Sequence, residues 1–168
     1  MNNMRTRKPN RLQGYDYARN GAYFVTICAK DRVELFGRIV GGDVHIAPKT
    51  ELSDIGKIIN TIIDNLSNHR HDICVDKYII MPNHLHLIVI IDKRGDVDIA
   101  PYGVSDFVRT LKIMTTKQIG FSPWQRSFHD HIIRNEEEFF RIANYIVNNP
   151  AHWQNDCFYE DTVATPRP

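Results

Sequence analysis

Residues 73–91 read Ile73-Cys74-Val75-Asp76-Lys77-Tyr78-Ile79-Ile80-Met81-Pro82-Asn83-His84-Leu85-His86-Leu87-Ile88-Val89-Ile90-Ile91, two strand-like apolar runs divided by a Pro-Asn pair. Proline presets the first corner of a turn and asparagine tolerates the second, so the chain reverses there. The predicted hairpin has one strand from Ile73 to Met81 and its antiparallel partner from His84 to Ile91. Side chains alternate along a strand, which puts His84, His86, Ile88 and Ile90 on one face and Leu85, Leu87, Val89 and Ile91 on the other. Positions i and i+2 lie roughly 7 Å apart along the strand, near enough for two imidazoles to converge on one ion. A lone His-x-His on an apolar strand serves packing more often than ligation, so its meaning depends on what the rest of the chain brings to it.

A chain of 168 residues is most simply one domain that buries roughly two-thirds of its surface. The expected division is a basic arm over 1–20, one domain over 21–156 and a tail over 157–168. The net charge of +1 advertises no polyanion partner across the whole surface. Arg5, Arg7, Lys8, Arg11 and Arg19 nevertheless crowd the first twenty residues against the single acid Asp16, a pattern suited equally to phosphate contact and to a solvated terminus. Cys28, Cys74 and Cys157 are odd in number and lack CxxC spacing, and Cys28 and Cys74 fall in apolar runs. No apolar stretch approaches the ~20 residues of a membrane span, and the polar N-terminus is unlike a signal peptide. These features predict a reduced, cytoplasmic protein.

In chain order, Ala22–Cys28 is β-branched and aromatic and predicts a first strand. Glu34 to Ile46, with Gly41-Gly42 at its centre, predicts a short hairpin. Ile55, Ile58, Ile59, Ile62, Ile63 and Leu66 form one face of an amphipathic helix. After the Ile73–Ile91 hairpin comes a polar loop from Asp92 to Gly103. A second helix from about Ser105 to Ile119 is expected to bury Phe107, Val108, Leu111 and Met114 and to display Arg109, Lys112 and Lys117. Trp124 to Ile133 predicts a fourth strand. Asn135 with Glu138 three residues on resembles a capping box opening a third helix to Asn149, which Pro150 ends. Gly42-Asp43-Val44-His45-Ile46-Ala47-Pro48 is nearly repeated at Gly95-Asp96-Val97-Asp98-Ile99-Ala100-Pro101, too short a unit for a solenoid.

Strand, helix, strand, strand, helix, strand and a further helix give an α+β fold: a ferredoxin-like or RRM-like four-stranded antiparallel sheet, two helices on one face, and an additional C-terminal helix. The third strand is then central. The terminal helix is the natural element to cross the open face and meet the histidines. Its apolar stripe is Phe139, Ile142, Ala143 and Ile146, flanked by the i, i+4 pair Tyr145 and Asn149.

Pro82-Asn83-His84-Leu85-His86-Leu87 followed by Tyr145-Ile146-Val147-Asn148-Asn149-Pro150 resembles the HUH single-strand tyrosine transposases, and among them the REP-associated tyrosine transposases. Leu111-Lys112, the stretch Trp124 to Asn135, and Trp153 and Asp156 agree as well, so the resemblance covers about Tyr23 to Asp156. It implies cleavage and rejoining of single-stranded DNA at palindromic repeat hairpins, with Tyr145 as nucleophile and His84, His86 and Asn149 as ligands of Mg or Mn. Asn149 stands where minimal insertion-sequence transposases carry a glutamine. Both monomers and homodimers occur among such proteins.

The chemistry suits these side chains. A phenol with a pKa near 10 is a poor nucleophile at neutral pH and needs deprotonation or a more reactive electrophile. A divalent ion on two imidazoles and a neutral amide keeps its full charge for a scissile phosphate. Imidazole favours manganese, nickel or zinc, whereas magnesium prefers oxygen. Exchange of one phosphodiester for another requires no energy source, and no GxxxxGK[ST] loop occurs in the chain. Lys112, Lys117, Arg126 and Arg134 are candidate phosphate contacts, with Arg5, Arg7, Lys8 and Arg11 at the foot of a hairpin, against the alternative of solvated surface charge. His129 and His131 repeat the His-x-His spacing and either assist or pack.

Two rival readings use the same sheet. A domesticated, non-cleaving hairpin-binding module would stack bases on central-strand aromatics, and the third strand offers histidines and aliphatics instead. A histidine-triad nucleotide hydrolase would continue the alternation, where Ile88 stands.

Overall fold

The computed structural model describes residue 16 and residues 19–43, 46–68, 72–92 and 103–159. The basic-arm residues Arg5, Arg7, Lys8 and Arg11, the second Asp-Val-x-Ile-Ala-Pro peptide and the end of the tail lie outside them, as do Val44 and His45 of the first peptide.

The main sheet contains β1 (Gly21–Cys28), β4 (Ile73–Ile80), β5 (His84–Ile91) and β6 (His129–Ile133), in the order β4-β5-β1-β6 and antiparallel throughout. This is the predicted ferredoxin-like arrangement, with the histidine strand β5 central. Helices α1 (Asp54–Asn68) and α2 (Val104–Ile119) cover one face, where Tyr23, Val25, Ile27, Leu85 and Leu87 meet Ile59, Ile63, Phe107 and Leu111. Helix α3 (Glu136–Asn148) covers part of the other through Ile142, Ala143 and Ile146 against Ile88, Phe24 and Ile90. The period-2 alternation of β5 therefore sends its leucines into the large core and His84 and His86 to the α3 side.

Register sets the neighbours of each histidine. On β1, Cys28 lies opposite His84, Thr26 opposite His86, and Phe24 opposite Ile88. Between β4 and β5 the pairing passes from Val75 to Lys77, leaving Asp76 as the extra residue of a bulge.

The small hairpin differs from its prediction. Its strands are β2 (Gly37–Val40) and β3 (Lys49–Leu52), so Gly41-Gly42 open the connection instead of centring a turn between 34 and 46. Gly42 N–H donates to the Ile46 carbonyl and Ile46 N–H to Asp43 Oδ1, which closes a local turn at the tip. Pro48, which has no N–H to give a ladder, stands before the returning strand.

Helix α2 buries Val104, Phe107, Val108, Leu111 and Thr115, and Met114 is exposed, contrary to the predicted stripe. Thr115 takes the inward place because its hydroxyl donates to the Leu111 carbonyl at 2.8 Å and so carries no unmet polar atom into the core. The fourth strand is shorter than predicted. Only His129–Ile133 pairs with β1, while Trp124 makes an isolated bridge with Ala29. The chain between is held by Lys112, whose Nζ donates to the carbonyls of Gln125 and Ser127.

Asn135 caps α3 as the sequence indicates, accepting from Glu138 N–H at 2.8 Å, and Glu138 accepts from Arg134 N–H. The helix ends at Asn148. Asn149–Asn155 continues as a 3-10 turn with Pro150 in its first positions. No helix among the described residues is long and apolar enough to cross a membrane.

Candidate active site

His84 and His86 bring their Nε2 atoms to 3.0 Å, with the two residues 0% and 2% exposed. Burial pulls both imidazoles down to about 3, with the neighbouring His84 adding to the effect on His86 and the Asp156 carboxylate only partly opposing it there, so both are neutral at physiological pH and available as ligands. The remaining nitrogens are occupied. His84 Nδ1 lies 3.0 Å from Asn83 Oδ1, and His86 Nδ1 lies 2.9 Å from Thr26 Oγ1. Such outer contacts fix ring orientation at metal centres.

Tyr145 arrives from α3, its hydroxyl 3.3 Å from His86 Nε2 and its ring tilted over the imidazole at 5.2 Å. The edge of Phe24 supports the ring from below at 6.1 Å. At 44% exposed, it is the outward-facing member of the group. Burial of the hydroxyl, followed by the nearby Asp156 carboxylate, pushes the phenol up to about 12, so it rests protonated.

Asp156, which the sequence pattern left without a role, enters the same cluster. Its side chain is nearly buried and its Oδ2 lies 3.9 Å from His84 Nε2. Phe158 N–H donates to its Oδ1 at 2.8 Å, and Asn149 Nδ2 donates to its Oδ2 at 3.1 Å. Ligand atoms of His84, His86 and Asp156 all lie within 4.8 Å of one another. A carboxylate therefore joins the neutral set expected from the sequence.

The histidine pair fits a divalent ion. Two nitrogens each ~2.1 Å from one ion at a right angle stand ~3.0 Å apart, and at a tetrahedral angle ~3.4 Å, so the observed 3.0 Å between Nε2 atoms matches neighbouring positions of an octahedral ion. Asn149 Oδ1 is buried and finds no hydrogen-bond partner among the described residues, an acceptor left over once its Nδ2 has turned to Asp156.

The predicted phosphate contacts are distributed elsewhere. Lys112 is half-buried and faces the Gln125–Ser127 carbonyls. Lys117, Arg126 and Arg134 are exposed. His131 joins Glu138 at 2.7 Å, on the sheet's edge strand.

The neutral histidines make the fold sensitive to acid. Between about 3, where they titrate when folded, and 6.5, their ordinary value, the unfolded chain binds more protons. Stability is thus complete above about pH 7 and falls as the pH drops through 6.5 toward about 3. Urea midpoints across that interval should decrease steadily in metal-free buffer, and a flat profile would contradict the buried, neutral pair.

No family model matches the chain. An uncharacterized protein of Haemophilus influenzae is 31% identical over 175 residues, spanning 92% of this chain and 94% of the relative. A second Haemophilus influenzae protein, described as "Putative REP-associated tyrosine transposase", is 24% identical over 170 residues, spanning 89% of this chain and 86% of that one. The fold is shared with a solved REP-associated tyrosine transposase bound to a REP hairpin, at TM-score 0.60 and 22% identity over 85% of this chain and 74% of the other. The chain thus shares its fold with a REP-associated tyrosine transposase and is similar in sequence, along nearly the whole length of both, to a relative described as a putative one, and on this sheet a His-x-His strand faces a helix-borne tyrosine.

Proposed function

We propose that the protein cleaves and rejoins single-stranded DNA at palindromic repeat hairpins through a 5′-phosphotyrosine intermediate. The observation that carries this reading is the placement of the Tyr145 hydroxyl 3.3 Å from His86 Nε2, at the edge of a buried, neutral histidine pair. The solved relative bound to a REP hairpin supports a hairpin substrate.

In the reaction, Tyr145 Oη attacks the scissile phosphorus in line with the departing 3′ oxygen. The new Oη–P bond forms as the P–O3′ bond breaks, the phenol gives up its proton, and the 3′ oxygen takes one to become a hydroxyl. The reverse attack by a 3′-hydroxyl releases Tyr145 and seals the strand, one phosphodiester replacing another. His84, His86 and Asp156 would hold a divalent ion, Mg or Mn, with Asn149 Oδ1 as the fourth donor. When bound, that ion supplies positive charge to the scissile phosphate and to the developing phenolate. Phe24 and the α3 backbone orient the phenol; exposed Lys117, Arg126 and Arg134 contribute phosphate contacts, joined by the basic arm.

Metal binding provides the first test. Manganese at about one hundred times its Kd stabilises a folded protein by ~2.7 kcal/mol. The wild type should show a rise in Tm on that scale, and His84→Gln and His86→Gln should each show almost none. A wild-type Tm indifferent to manganese and magnesium at millimolar levels would contradict the ligand set. Hairpin binding without cleavage under any metal would favour the domesticated, non-cleaving module.

A further inference from the structure

We propose that Asn83 is a positioning residue with two tasks: it sets the tautomer of His84, and it docks the segment that carries Asp156 against the histidine strand. The proposal extends the metal-centre reading above and rests on it for its consequence, although its geometry stands by itself.

Asn83 is 1% exposed in the turn that precedes β5. Its Nδ2 donates to the Arg32 carbonyl at 3.0 Å and to the Phe158 carbonyl at 2.8 Å. Carbonyl oxygens only accept, so both amide protons are spent and the group facing them is the NH2. Asn83 Oδ1 is left toward His84 Nδ1 at 3.0 Å. That oxygen also only accepts, so the His84 proton sits on Nδ1. A neutral ring with its proton on Nδ1 has a lone pair on Nε2. That lone pair is the one aimed at His86 and Asp156.

The second task follows from the same amide. Phe158 lies two residues beyond Asp156, and its ring lies tilted against His84 at 4.6 Å. Arg32 holds this segment from the other side, its guanidinium donating to the Cys157 carbonyl at 3.4 Å and lying 5.7 Å over the Phe158 ring. Asp31 and Arg32 adopt φ of 54° and 55°, uncommon for residues with a Cβ, and this turn presents the Arg32 carbonyl to Asn83. One amide thus joins the end of β1, the head of β5 and the C-terminal segment. The Asp156 carboxylate accepts from Phe158 N–H and Asn149 Nδ2, and its backbone bonds to Trp153 and Tyr159 stay within the same segment, so its place beside His84 depends on that segment staying docked.

The test uses the metal-free full chain at neutral pH. Long-range proton–nitrogen spectra of 15N-labelled protein report each histidine tautomer, and amide exchange reports docking of residues 156–159. The wild type should show His84 protonated on Nδ1; the Nε2-protonated form would overturn the proposal without any variant. Asn83→Asp keeps an acceptor for His84 Nδ1–H but turns an oxygen toward the two carbonyls, so the tautomer should persist while protection at 156–159 falls at least tenfold. Asn83→Ala should lose both the single tautomer and the protection, and should bind Mn²⁺ 10- to 100-fold more weakly, the usual range for losing an outer-shell partner. A folded Asn83→Ala with the wild-type tautomer and protection would refute the proposal. Should that variant not fold, the Asp variant carries the same decision through its split between tautomer and protection. A wild type that binds no Mn²⁺ yet shows these tautomer and exchange results would reject the metal reading and leave the role of Asn83 standing.

Discussion

Tyr145→Phe should abolish the covalent protein–DNA adduct and lower strand cleavage by at least about a thousandfold, the scale on which removal of a nucleophile acts. The substitution deletes one oxygen. The ring keeps its edge contact with Phe24 and its tilt over His86. The hydroxyl lies on a half-exposed residue and its contact with His86 is long, so stability should change by less than ~1 kcal/mol. Hairpin affinity should remain within a few-fold of wild type. Denaturing gels with labelled hairpin-bearing DNA and Mn²⁺, alongside a binding titration, separate the two effects. Cleavage by the Phe variant at a wild-type rate would remove Tyr145 from the reaction.

Gly56→Ala should destabilise the fold by roughly 3 kcal/mol, the upper range for overpacking, although alanine in place of glycine inside a helix ordinarily stabilises by up to ~1 kcal/mol. Gly56 lies in the first turn of α1, where the helix sits directly on the Phe36 carbonyl; a Cβ at Gly56 would overlap that oxygen. The obstacle cannot retreat. Phe36 N–H donates to the Pro82 carbonyl, the Phe36 carbonyl accepts from Ser53 N–H, and the ring is buried against Trp124 at 5.1 Å. Gly120→Ala is a useful contrast, with open space around the new carbon but a φ of 84°, so it should cost only ~1 kcal/mol. Urea unfolding of the two variants distinguishes a clash from conformational strain. Equal, small losses would show that the α1 contact is looser than described.

What the sequence reveals most clearly is whatever repeats with a structural period. The alternation from His84 to Ile91 assigns the two faces of β5 correctly, and the isoleucines of α1 mark its buried side, because burial of one face is enforced at every turn of the element. Asn135 discloses the start of α3 through a local hydrogen bond to Glu138 that needs no tertiary context. Asp156 was not legible in this way. It reaches His84 through a 3-10 turn beyond Pro150 and a segment held by Asn83 and Arg32, residues far away in sequence. Only its agreement with the family pattern marked it, without a role. Lys112 shows what a surface-charge reading leaves out, since three carbonyls of the loop before β6 lie within reach of its ammonium. Met114 was misplaced because the stripe of α2 steps from Leu111 to Thr115, and composition alone favours methionine over threonine for an interior place.

The measurement that bears most directly on the proposed chemistry is mass spectrometry of the protein after incubation with hairpin-bearing single-stranded DNA and Mn²⁺, followed by tryptic and nuclease digestion. Cleavage after Arg141 releases Tyr145 on a peptide that begins at Ile142. The account predicts a nucleotide linked through its 5′-phosphate to Tyr145 on that peptide, present with metal and absent when His84 is replaced by glutamine. Bound hairpin with no nucleotide on Tyr145, or a nucleotide on a different residue, would contradict it.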